Sequence, residues 1–397
     1  MRAVTRRRSV TLLFVVVAIA TVSFVALPFV HGVSFVIRAA DMHGAARRLA
    51  DLDTAAERER EIAIPTARGS MRARVYEPVR SHRRAALLVS GLHPSGIDEP
   101  RLVRLARALA ASGLAIVTPD IPELSHFEIT PAIPDTIERS AGWLALESGL
   151  APDRRVSMMG ISFSGGLSIV AAARASLSDR VAAVFALGGH DDLPRVLRYL
   201  CTGSEPYPPN QLGRSPEKPF VRAPHDYGVA VILLGVAERV VPRAQVEPLR
   251  AAVRRFLFAS ALDSNVDKEK AASEFAAVRD LAKKMPEPSA TLLRYVNDRD
   301  VVHLGARLLP YVSFYGGDPS LSMSKSPKPS APVFLLHGMD DNVIPSIESE
   351  YLAEELRGHA PVRLLLSGLI SHAEADRPPH IGDVLQLASF WGDLLSR

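Results

Sequence analysis

The sequence predicts an α/β fold, a mostly parallel sheet flanked by helices, carrying a helical insertion and an N-terminal membrane segment. Three observations point there. Short, continuous apolar runs such as AALLVS at Ala85–Ser90 are the pattern of strands buried on both faces. Helix-length amphipathic segments alternate with these runs from about residue 61 to 190, as a parallel sheet covered on both sides requires. The alternation stops over about 191–330, where helical candidates dominate, and resumes over 331–397.

The chain begins with Arg2, Arg6, Arg7 and Arg8, followed by the uncharged run Thr11–Val30. At about 1.5 Å per residue such a run spans about 30 Å, the thickness of a hydrocarbon core. Residues 1–37 are therefore expected to form an uncleaved signal anchor. A cleaved signal peptide is the alternative, although VALPFVHG offers no small-x-small site. The leading arginines favour a cytoplasmic N-terminus with the body membrane-anchored on the extracytoplasmic side, or secreted after cleavage. Arg38, Arg47 and Arg48 on the far side weaken that bias. Residues 38–60 read as a linker helix, with Leu49, Leu52 and Ala56 facing inward.

Along the body, Glu61–Pro65 and Ala73–Pro78 read as strands about a turn at Arg68-Gly69-Ser70. Pro100–Ser112 is a helix and Leu114–Thr118 a strand. A Pro-rich loop follows, and Asp135 can cap a helix reaching about Glu147. Arg155–Met159, Leu167–Ala175 and Val181–Leu187 continue as strand, helix, strand. Within the insertion the helical candidates are Tyr227–Val240, Glu247–Leu262, Lys268–Lys284 and Val301–Tyr311, punctuated by Pro242, Pro286 and Pro288. Ser320–Pro332 is Ser/Pro/Lys-rich and reads as an exposed linker. Val333–Leu336 and Val362–Leu366 return to strand around a helix at Ser346–Gly358, and Ile381–Leu395 ends the chain as a helix.

The charge balance narrows function. The 397 residues carry 47 bases against 43 acids, a formal +4, and four of the bases are the leading arginines. The remaining body is neutral, which gives no basic surface for nucleic acid. Cys201 is the single cysteine, so neither an intramolecular disulfide nor a cysteine-built zinc site is available. No dinucleotide, Walker or H-E-x-x-H motif occurs, and no cofactor or metal is expected.

The chemistry concentrates in three places. Gly160-Ile161-Ser162-Phe163-Ser164-Gly165-Gly166 joins a strand to a helix, so Ser162 projects from a tight turn against a helix N-terminus. A serine hydroxyl needs a base, and the base an acid. PVFLLHGMDDNVIP delivers Asp340 and Asp341 from one strand end, and VRLLLSGLISHAEA delivers His372 from the next. All lie at the C-terminal edge, where open α/β sheets place their sites. His190-Asp191-Asp192 could supply an acid in a variant layout, but a polar helix cap is the preferred reading.

From about Glu61 onward these motifs and their Ser…Asp…His order resemble the α/β-hydrolase superfamily. The elbow departs in one place: Ser164 stands where a second glycine usually sits. The resemblance implies Ser162 as nucleophile, Asp341 as acid with Asp340 as runner-up, and His372 as base with His380 weaker. It implies an oxyanion hole from the backbone N–H groups of Phe163 and of Leu92, in a loop where Ser90-Gly91 replaces the usual His-Gly. It also implies that the insertion forms a lid shaping the substrate pocket. The expected activity is hydrolysis of carboxylic esters through an acyl-enzyme. A peptidase or amidase of the same fold, or an inactive hydrolase-like binding protein, are the alternatives. The expected partners are a small ester or amide and the membrane.

Overall fold

The buried runs do form one sheet. In the computed structural model, which describes residues 26–67, 69–82, 84–209, 218–263, 267–370 and 380–397, the strands are β1 (Glu57–Thr66), β2 (Gly69–Pro78), β3 (Arg84–Val89), β4 (Leu114–Pro119), β5 (Val156–Ile161) and β6 (Val181–Leu187). A short pair in the insertion, β7 (Ser204–Glu205) and β8 (Phe220–Val221), stands apart. β9 (Val333–Gly338) and β10 (Val362–Ser367) complete the main sheet. Its order is β1-β2-β4-β3-β5-β6-β9-β10. β2 alone runs against the others, pairing antiparallel with both neighbours. Residues 85–89 of β3 are almost fully buried, which explains their unbroken apolar character.

The helices in chain order are α1 (26–39), α2 (Ala45–Asp53), α3 (Pro100–Ala111), α4 (Pro122–Ser125), α5 (Ala132–Leu146) and α6 (Phe163–Ala172). The insertion holds α7 (Leu193–Thr202), α8 (Asp226–Val240), α9 (Arg243–Asp263), α10 (Lys268–Lys284), α11 (Ser289–Asn297), α12 (Val301–Leu308) and α13 (Val312–Tyr315). α14 (Ile347–Glu355) and α15 (Ile381–Leu395) follow. α3 shows why such segments start where they do. Glu99 accepts from the Leu102 N–H at 2.7 Å and Pro100 occupies the first turn, where its missing N–H costs nothing. α3 and α15 cover one face of the sheet, while α5, α6 and the insertion share the other core.

Several expectations need correction. α2 is shorter than the linker helix, strand begins at Glu57, and Leu49 and Leu52 are 66% and 85% exposed; Ala50 is the inward residue. Asp135 does not cap α5 but sits in its first turn and pairs with Arg174. Ser320–Pro332 is no exposed linker: Leu321, Ser322 and Met323 are buried. Ser322 Oγ accepts from the Leu193 N–H at 3.0 Å, tying this stretch to α7.

Among the described residues no helix is long and apolar enough to cross a membrane. Most of the apolar run Thr11–Val30 lies outside the described residues, up to position 25, and its last residues open α1. α1 is seated on the body. Phe35 is fully buried with its ring centroid 4.1 Å from that of Trp391. Gly32 and Gly392 let the two helices touch backbone to backbone: a Cβ at Gly32 would lie 1.8 Å from the Ala388 carbonyl oxygen. One at Gly392 would lie 2.1 Å from that of Pro28. Arg38 fastens the other end, donating to Asp51 at 2.8 Å and Thr54 at 2.7 Å.

Candidate active site

β5 ends at Ile161, and α6 begins two residues later at Phe163. The single residue between them, Ser162, has φ 57° and ψ −129°, a conformation costly for a residue bearing a Cβ. Neighbours hold it there. The Ser162 N–H donates to the Leu187 carbonyl at 2.7 Å, and the Ser162 carbonyl accepts from Gly165 at 2.8 Å. Gly160 has to lack a side chain, since a Cβ would lie 2.2 Å from the Ser164 carbonyl oxygen.

The departure at Ser164 has a physical reason. Its fully buried hydroxyl accepts from the Ile161 N–H at 2.9 Å and donates to Val89 O at 3.0 Å or Ile161 O at 2.9 Å. It thus stitches the turn to the end of β3. A glycine would remove these side-chain bonds, so serine here supports the turn.

Ser162 and Asp341 line one cavity of ≈ 410 Å³, with Gly338 from the same strand end as Asp341 and Gly91 and Gly188 from two others. Asp341 is buried, and its Oδ1 accepts from the N–H groups of Val343 and Ile344 at 2.8 and 3.0 Å. Its Oδ2 lies 3.6 Å from His337 Nε2. Asp340 faces away: its side chain is 78% exposed and pairs with Arg222 at 3.2 Å. The two aspartates thus occupy different environments, and only Asp341 faces the cavity of Ser162. His372 lies outside the described residues. His380 is exposed at the N-terminus of α15. Asp192 caps α7, accepting from the Arg195 N–H at 2.9 Å, which is the cap reading of the His190-Asp191-Asp192 run.

Phe163, as the first residue of α6, offers an N–H with no acceptor inside its own helix. The loop after β3 approaches from the other side: a Cβ at Gly91 would lie 3.4 Å from the Ser162 Cβ. Leu92 follows, its carbonyl accepting from the Tyr227 hydroxyl of α8 at 3.0 Å. His93 accepts from the Ser95 N–H at 3.2 Å, and burial holds its pKa below the usual imidazole range. A neutral His93 shapes the loop without adding charge beside the serine. The Gly160–Gly166 motif revealed the turn, but nothing in the sequence marked Tyr227 as the tether of the Leu92 loop.

Chemically, the arrangement offers a hydroxyl at a helix N-terminus, a buried carboxylate at a neighbouring strand end and backbone donors around an apolar cavity. Among the described residues no group of side chains could hold a metal ion.

No family model and no curated protein matches the chain. Solved structures do align with it. An esterase of Pyrobaculum calidifontis is 16% identical, with 87% of each chain covered and a TM-score of 0.42. An arylesterase is 12% identical, covering 85% of this chain and 83% of that one at a TM-score of 0.45. An acylaminoacyl peptidase of Pyrococcus horikoshii is 13% identical over 87% of this chain, with a TM-score of 0.42. The chain spans 42% of that peptidase's length.

Proposed function

From the α/β-hydrolase fold that this chain has, with its single reversed second strand, we propose that it is a serine hydrolase of carboxylic esters. One observation carries the reading: Ser162 is held at a positive φ between β5 and α6 and shares a cavity with the buried Asp341. A backbone conformation of this cost is found where surrounding structure and function both require it.

In the proposed reaction Ser162 Oγ attacks the ester carbonyl carbon and its proton passes to His372. The N–H groups of Leu92 and Phe163 hold the oxyanion of the tetrahedral intermediate. Collapse breaks the bond to the alcohol oxygen, which takes the proton from His372 and leaves. Water then adds to the acyl-enzyme, again giving a proton to His372, and the acid departs as Ser162 regains its proton. Asp341 orients His372 and stabilises its cation.

The experiment is a fluorophosphonate adduct mapped by peptide mass. The expected adduct sits on Ser162. An adduct on another residue, or none on folded protein, removes the reading.

The N-terminal run Thr11–Val30 is proposed as a membrane anchor with the body on the extracytoplasmic side. The leading arginines and the unbroken apolar stretch support it. The last five residues of that run already belong to α1, which is packed on the body, so an anchor formed by the preceding residues would hold the enzyme close to the bilayer. Full-length protein is then expected to stay in the membrane pellet through alkaline carbonate washing. Release into the wash would end the anchor proposal.

A further inference from the structure

The cavity at Ser162 is walled by the N-terminal helix. Phe35, Val36 and Ala39 of α1 line it together with Leu102 and Leu105 of α3 and Trp391 of α15. No described residue of the insertion does so. The insertion instead reaches a smaller cavity of ≈ 180 Å³ beside Leu92 and His93, through Tyr227, Ala261 and Arg299. Among the described residues it is α1, and not the insertion, that walls the cavity of Ser162.

We propose that this cavity is an acyl-chain site whose depth is set by α1, so that the chain takes esters of medium-length aliphatic acids. The proposal rests on the serine-hydrolase reading above and names its substrate class. Its volume of ≈ 410 Å³ falls within the roughly 300–1,000 Å³ of small-molecule sites. Its inner wall is aliphatic and aromatic. The charged residues lining it are the buried Asp341 near Ser162 and, at the start of α3, Glu99, Arg101 and Arg104, of which Arg101 pairs with Glu99 at 2.7 Å. Against the aliphatic and aromatic side chains of α1, α3 and α15 an alkyl chain would leave water for apolar surface.

The wall is also firm. α1 is held by the backbone contact at Gly32, by the Phe35–Trp391 pair and by His31 against Asp53 at 2.8 Å. A wall so fastened sets a definite length. Each methylene buried in it should raise kcat/KM about fourfold until the cavity is full.

The test compares p-nitrophenyl octanoate with p-nitrophenyl acetate on the full chain. Wild type is expected to prefer octanoate. Ala39→Trp fills the cavity from α1 and Leu105→Trp from α3, and each should cut the octanoate-to-acetate ratio of kcat/KM at least tenfold. Ala261→Trp in the insertion should shift that ratio less than twofold. In Ser162→Ala protein, Ala39→Trp should weaken binding of dansyl-labelled undecanoic acid at least tenfold. Unchanged ratios in folded Ala39→Trp and Leu105→Trp, or a shift produced only by Ala261→Trp, would overturn the proposal. Should no variant turn over either ester, the dansyl acid decides: binding lost in Ala39→Trp keeps the acyl site while the hydrolase reading fails, and binding unaffected ends both.

Discussion

Ser162→Ala is expected to lower kcat/KM for an activated ester by roughly 10,000-fold or more, the scale seen when a triad serine is removed. The turn itself should survive, because the contacts that hold it run through the Ser162 backbone and the Ser164 hydroxyl. Folding and stability should therefore change little, and circular dichroism with thermal melting checks this beside the kinetics. The same assay separates the two aspartates. Asp341→Asn leaves the buried site without its carboxylate and should cost about a thousandfold or more in kcat. Asp340→Asn only dissolves a surface pair with Arg222, worth about 0–1 kcal/mol, and should leave kcat within about twofold. Equal losses from the two would remove Asp341 from the orienting role.

The second large effect lies behind the sheet edge. Glu348 is fully buried and receives the N–H groups of Asp191 and Asp192 at 2.7 and 3.2 Å, with Arg195 Nε at 2.5 Å. Arg195 also lies 3.5 Å over the Tyr351 ring and 3.1 Å from Asp191. This cluster fixes the start of the insertion to α14. Glu348→Ala strands two backbone donors and leaves the Arg195 guanidinium with Asp191 as its remaining carboxylate, and should lower the unfolding free energy by about 3–5 kcal/mol. A shift in the urea midpoint reads it. Asp191 behaves differently. Burial first, and then the neighbouring Glu348, push its pKa up to about 7, outweighing Arg195. The folded chain thus keeps a proton that the unfolded chain releases above the ordinary 3.8. Stability is lost as pH rises between those values. Asp191→Asn imitates the protonated form, and should flatten that decline. A steeper loss in the variant would contradict the assignment.

How far the sequence revealed this molecule depends on what each element answers to. β3 was legible because burial on both faces forces a continuous apolar run. α10 and α15 were legible because their own spacing and flanking residues bound them. α6 begins at Phe163, earlier than its composition implies, because Gly165 and Gly166 read as turn residues. Here they are helical, and glycine is required: a Cβ at Gly166 would lie 2.4 Å from the His190 carbonyl oxygen. The stretch at Leu321–Met323 was hidden by averaging, since Ser, Pro and Lys around it mask three buried anchors. Ser162 and Asp341 could be singled out because chemistry restricts the residue types and strand ends deliver them to one edge, and they do line one cavity. The wall made by α1 could not, since no local pattern announces that Phe35 will meet Trp391.

That last pairing joins the two ends of the chain, with a consequence for biosynthesis. α1 leaves the ribosome well before α15, whose surface it covers. Loop-closure entropy and translation both delay the contact. Throughout synthesis Phe35 and the buried edge of α1 wait without their native cover, and aggregation-prone surface is open to other chains. A chain stopped short of Ile381 keeps the bonds of α1 to Asp51, Asp53 and Thr54 but lacks the α15 surface on which Phe35 packs. This wall of the Ser162 cavity, with Phe35 on one side and Trp391 on the other, therefore closes only after the fifteen residues of α15 have been made.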